Sequence, residues 1–114
     1  MRRDDNALLL DIAHAAGLVA KFMAGKGKTA FLADELTQSA VLHQILVLGE
    51  AAKRLSSEFR ARYPEVPWSD IGGMRDKLIH EYEAVDHNQV WSTAMKDIPE
   101  LLAWVTPLLP EEPA

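Results

Sequence analysis

Apolar residues recur every three or four positions through most of this 114-residue chain, a spacing that fits the turn of an α-helix and not the alternation of a strand. Leu9, Ile12, Ala16, Val19 and Met23 form one such stripe. It predicts a helix over about Asp5 to Ala24, capped by Asp4 or Asp5 and ended by the glycines of Gly25-Lys26-Gly27-Lys28. A second stripe (Leu36, Ala40, Ile45, Leu46, Leu48, Ala52, Leu55 and Phe59) predicts a long helix from roughly Asp34 to Arg62, with Thr29 or Asp34 as the cap and Tyr63-Pro64 as the stop. Its middle, AVLHQILVLGEAA, is apolar on nearly all sides, which requires cover from several neighbours at once in a bundle core or a subunit interface.

The two prolines of YPEVPW forbid helix, and Ser69 or Asp70 then caps a turn before Gly72 and Gly73. A third helix is expected from Met74 to about Tyr82. Asp86 caps a fourth, with Val90, Trp91, Ala94, Ile98, Leu101, Leu102 and Val105 as its stripe and Pro99 as a kink or split. No strand alternation or internal repeat interrupts this pattern. The fold expected is all-α, a four- to five-helix up-and-down bundle in one domain over residues 1–109, followed by a short flexible tail at 110–114.

Composition narrows the setting. With 48% apolar and 25% charged residues the chain has the balance of a soluble domain. Asp11, His14, Lys21, His43, Gln44 and Glu50 interrupt its apolar runs, so no membrane association is expected. The absence of cysteine removes disulfides and thiolate metal sites and agrees with a reducing compartment, and MRRDDNALLL makes a poor signal peptide. A cytoplasmic location is therefore expected. A net charge of -5 argues against a general nucleic-acid coat, yet Lys53 to Lys77 holds six basic residues (Lys53, Arg54, Arg60, Arg62, Arg75, Lys77) against four acidic ones. That local excess can meet a phosphate backbone or form a solvated helix face.

Chemistry concentrates in WSDIGGMRDKLIHEYEAVD, where Arg75, His80 and Tyr82 form R-x4-H-x-Y. This motif, with GEAAKRLS before it and VW and DIPELL after it, resembles the signature of HepT-like toxin ribonucleases of the HEPN superfamily, across Leu48 to Leu102. The resemblance implies a homodimer with a cleft at its interface and metal-independent endoribonuclease activity. It also implies a minimal nucleotidyltransferase antitoxin as partner, which silences the toxin by attaching AMP to the motif tyrosine, here Tyr82. No cofactor and no metal are expected.

The residue types fit that chemistry. RNA carries its own nucleophile, the 2'-hydroxyl, so cleavage needs a proton-transfer group and a charge stabiliser. Histidine exchanges protons near neutral pH, which suits His80, and arginine offers a fixed charge in a planar fork, which suits Arg75. On one ideal helix His80 would lie about 140° around the axis from Arg75, and Tyr82 within about 20° of it. The site then needs an irregular first turn beside Gly72 and Gly73, or groups from two chains.

Asp76, four residues before His80, can hydrogen-bond it and favour its charged form, or it is an ordinary acid of a helix first turn. Glu50 lies in an apolar stretch and is expected to pair with an arginine of the bundle. His14, His43 and His87 have no metal-ligand spacing, AGKGKT lacks the phosphate-loop spacing, and Trp68, Trp91 and Trp104 look like packing residues. The alternative function is a non-catalytic HEPN subunit that binds nucleotide or docks onto a nucleotidyltransferase.

Overall fold

The structure, a computed structural model, describes residues 3–79 and 84–110. Eight α-helices follow in order: α1 (Arg3–Met23), α2 (Lys28–Leu32), α3 (Glu35–Arg54), α4 (Ser57–Arg62), α5 (Trp68–Gly72), α6 (Met74–Leu78), α7 (His87–Ser92) and α8 (Ile98–Val105). A π-helical turn (Thr93–Asp97) joins α7 to α8, and a 3-10 turn (Thr106–Leu108) follows. Among the described residues the fold is all-α, the sole extended pairing being an isolated bridge between Ile79 and Val85.

Three rods carry the core. Leu9, Ile12, Ala16 and Val19 of α1, Val41, Ile45 and Leu48 of α3, and Ile98, Leu101 and Val105 of α8 are fully buried in one continuous cluster. Isolated helices of about this length are marginal in water, whereas each buried Leu or Ile contributes roughly 1.5–3 kcal/mol, so packing and not propensity fixes the rods. By length and composition α1 could cross a membrane, but its apolar stripe is spent on α3 and α8. The predicted stripes are the buried faces except at Leu36, which is 81% exposed, and at Ala40, Leu46, Trp91 and Leu102, which are half-buried. The short α5 and α6 pack on α3, and α6 also touches α7.

The predicted long helix from Asp34 to Arg62 is two helices. Asp5, only 2% exposed near the start of α1, accepts hydrogen bonds from the Ser56 N–H at 2.8 Å and the Ser56 hydroxyl at 2.6 Å. Ser56 Oγ in turn accepts from the Phe59 N–H at 3.1 Å and caps α4. Leu55 and Ser56 therefore adopt extended backbone and the helix breaks. Sequence periodicity alone cannot see this, because the partner of Ser56 is 51 residues away.

At the opposite end, Gly25 takes the left-handed conformation (φ 75) that ends α1. Asp34 is the cap of α3, accepting from the Thr37 N–H at 3.1 Å and the Thr37 hydroxyl at 2.6 Å, with Lys26 Nζ at 3.5 Å. Between them lies α2, which the sequence reading missed; buried Phe31 anchors it, and Gln38 of α3 donates to the Phe31 and Leu32 carbonyls, both at 3.0 Å. The fourth predicted helix is divided as Pro99 requires. Its ring and missing N–H prevent regular continuation, the chain widens into the π turn, and α8 resumes at Ile98 with proline in its first turn.

Two outcomes test these contacts. Asp5→Ala removes the acceptor of the two half-buried Ser56 donors, and urea unfolding is expected to show a loss of about 1–2 kcal/mol, with a smaller loss for Asp5→Asn. The Thr37 side-chain and backbone hydrogen bonds hold the Asp34 carboxyl below its usual value of 3.8, so its stabilising effect is present above that value and fades as pH falls through the lowered one. Asp34→Ala is expected to show a shallower acid-side fall in melting temperature than the wild type.

Candidate functional site

The residues that position Arg75 begin in α3. A Cβ on Gly49 would lie 3.4 Å from the Ile71 carbonyl oxygen and 3.6 Å from that of Gly72, both unyielding backbone atoms. The bare glycine face thus lets the end of α5 lie directly on α3. On the other side of this crossing a Cβ on Gly72 would come within 3.1 Å of Lys53 Cγ. GEAAKRLS and SDIGGMR, two of the segments that carried the resemblance, meet here.

Trp68 fixes the start of α5. Its ring is buried, stands edge-on to Phe59 with centroids 5.6 Å apart, and donates from Nε1 to the Tyr63 carbonyl at 3.0 Å. It is a packing residue, unable to stack on a base. Gly73 then links α5 to α6, and the buried side chains of Met74 and Leu78 turn the opposite face of α6 outward. Arg75 stands on that outward face. Its Nη1 lies 3.9 Å from Asp76 Oδ1, with the side chains 54% and 76% exposed. An exposed pair at that separation is weak, and the guanidinium remains open to a phosphate.

Helix α6 stops at Leu78, short of the predicted Tyr82. Ile79 is extended (φ -120, ψ 116), bridges Val85, and the Asp86 N–H donates to the Leu78 carbonyl at 2.8 Å. Asp86 also accepts from the Gln89 N–H at 3.1 Å as the cap of α7, as the sequence led us to expect. The chain is therefore drawn together at the two ends of the segment that holds His80 and Tyr82. Those two residues lie outside the described residues. The helical angles separating Arg75 from His80 and Tyr82 do not apply, because the helix ends before either is reached.

The other candidates separate. Asp76 stays beside Arg75. Glu50 is exposed, with no ion pair to a bundle arginine among the described residues; the apolar stretch around it is not buried on every side. It lines a groove of about 440 Å³ between α1 and α3, with Asp11, His43, Val47 and Arg54. Lys77 lines a smaller recess of about 110 Å³ with Asp70, Asp97 and Glu100. Of the basic segment, Arg54 and Lys77 thus sit among carboxylates. Lys53 lies instead at the glycine crossing, and sequence reasoning had counted it only as part of the segment. Among the described residues no three His, Asp or Glu side chains gather as a metal-ligating group.

Comparison with known proteins identifies the family. The family model for HepT-like ribonucleases matches residues 12–108. A Thermococcus cleftensis protein named "Probable ribonuclease HepT" is 41% identical over 101 residues, covering 89% of this chain and 92% of the relative. Two proteins named "Putative RNase" are also similar. One, from Caldanaerobacter subterraneus, is 44% identical over 82 residues, 72% of this chain and 73% of its own. The other, from Methanocaldococcus jannaschii, is 37% identical over 100 residues, 88% and 86% of the two chains. No solved structure matches significantly. With its helical architecture, its glycine crossing and a family match over most of its length, this chain belongs to the HepT-like ribonucleases of the HEPN superfamily.

Proposed function

We propose that the protein is the toxin of a HEPN and nucleotidyltransferase pair, a metal-independent endoribonuclease whose catalytic groups are Arg75 and His80. The observation that carries this reading is the exposed Arg75 on the outward face of α6, immediately before a segment pinned at Ile79 and Val85, in a chain of the HepT-like family. In the cleavage step the RNA 2'-oxygen bonds to phosphorus and the bond from phosphorus to the 5'-oxygen breaks. His80 takes the 2'-hydroxyl proton or supplies one to the departing 5'-oxygen, and Arg75 stabilises the added charge on the pentacovalent phosphorus. The products are a 2',3'-cyclic phosphate and a 5'-hydroxyl.

The working form is a homodimer in the cytoplasm, with the cleft shared between protomers and RNA as substrate. Control comes from a cognate nucleotidyltransferase antitoxin, which transfers AMP from ATP to the Tyr82 phenol oxygen as the bond between the α- and β-phosphates breaks and pyrophosphate leaves. The nucleotide brings bulk and negative charge to the surface that must admit an RNA phosphate, so cleavage falls by occlusion and repulsion. Asp76, next to Arg75 in sequence and largely solvated, has a supporting role at most, through its weak pairing with Arg75.

Arg75→Ala and His80→Ala are each expected to reduce cleavage of a labelled RNA by about 10²–10⁴-fold at unchanged melting temperature, with wild-type activity unaffected by a chelator. Intact cleavage by either variant contradicts the assignment. Tyr82→Phe is expected to cleave RNA and to keep doing so after incubation with the nucleotidyltransferase and ATP, conditions that silence the wild type.

A further inference from the structure

We propose that Lys53 of α3 is an RNA-binding residue of this site and holds a phosphate next to the one that is cleaved; the inference rests on the ribonuclease reading above. Its side chain does not wander freely from the helix. The position a Cβ would take on Gly72 lies 3.1 Å from Lys53 Cγ and 3.9 Å from Lys53 Cε, so the methylene stem runs along the bare backbone of Gly72. The ammonium, one bond beyond Cε, emerges at the end of α5, three residues before Arg75.

Three features make this a phosphate contact and not a solvated lysine. The residue is exposed, and among the described residues no carboxylate pairs with it. Part of the rotamer entropy that a free lysine loses on binding is already lost through packing on Gly72, which lowers the cost of using it. Its neighbours of the same charge are placed differently: Arg54, next in sequence and about 100° around α3, lines recesses with Asp4, Asp11 and Glu50, and Lys77 shares its recess with Asp70, Asp97 and Glu100. At the glycine link Lys53 has no carboxylate partner among the described residues, and Arg75 has only the weak, exposed contact with Asp76. A polyanion crossing Arg75 meets Lys53 as its second point of attachment, and a second phosphate contact fixes the register of the strand without reading its bases.

The test is steady-state cleavage of a fluorescent single-stranded RNA by the full-length protein at several salt concentrations. Lys53→Gln is expected to raise KM about 3–10-fold with kcat within twofold, and to reduce the slope of log affinity against log salt by about 0.7, the value for one phosphate contact on a single strand. Lys53→Arg keeps the charge and is expected to restore most of the affinity. Arg54→Gln removes the same charge one residue away and is expected to leave KM within twofold. Gly72→Ala supplies an independent arm: its methyl displaces the stem, so KM is expected to rise although Lys53 is present. Melting temperatures of all variants exclude simple unfolding as the cause. An unchanged KM and salt slope in Lys53→Gln overturns the proposal, as does an equal effect of Arg54→Gln, which reports net charge alone. A wild-type protein that fails to cleave RNA overturns the ribonuclease reading instead.

Discussion

The close approach of two backbones at Gly49 is the constraint on which the arrangement of the site depends. A methyl there would already touch the Ile71 and Gly72 carbonyl oxygens, at 3.4 and 3.6 Å, and carbonyls at a helix end cannot rotate away from a longer side chain as a flexible group can. With glycine, α5 seats on α3, and α6 follows one residue later through Gly73. The buried pair Met74 and Leu78 then decides which face of α6 is outward, and Arg75 stands on it. A site made of exposed polar groups is in this way located by apolar and backbone contacts beneath it.

The rest of the bundle supplies a rigid base for that crossing. Asp5 ties the beginning of α1 to the break after α3, and the Asp34 cap with Gln38 ties the beginning of α3 to α2. Both ends of α3 are thus held by hydrogen bonds, while its middle is held by burial of Val41, Ile45 and Leu48. The third rod closes the core despite Pro99, because the π turn takes up the irregularity there and the stripe of Ile98, Leu101 and Val105 continues in register beyond it.

Much of this was legible in the sequence, and the failures have a common cause. The stripes of α1, α3 and α8, the Asp34 and Asp86 caps and the effect of Pro99 depend on residues within a turn or two of one another, where periodicity and capping rules operate. The break at Ser56 depends on Asp5, far away in sequence. The apolar neighbours of Glu50 predict a pair with an arginine of the bundle, but Glu50 lies on the exposed side of α3. The end of α6 at Leu78 follows from the pairing of Ile79 with Val85, which no local propensity announces. Within the site, R-x4-H-x-Y marks the candidate groups, whereas Lys53 becomes visible only once α3 and α5 cross.

The chemistry proposed for Arg75 and His80 makes one demand that nuclease mechanisms with water as the attacking group do not share: the attacking oxygen belongs to the RNA itself. The direct measurement is the identity of the ends left by the purified protein on a defined RNA in the presence of a chelator. Internal attack predicts fragments that end in a 2',3'-cyclic phosphate and begin with a 5'-hydroxyl. Fragments with 3'-hydroxyl and 5'-phosphate ends, or an RNA that stays whole, would contradict it.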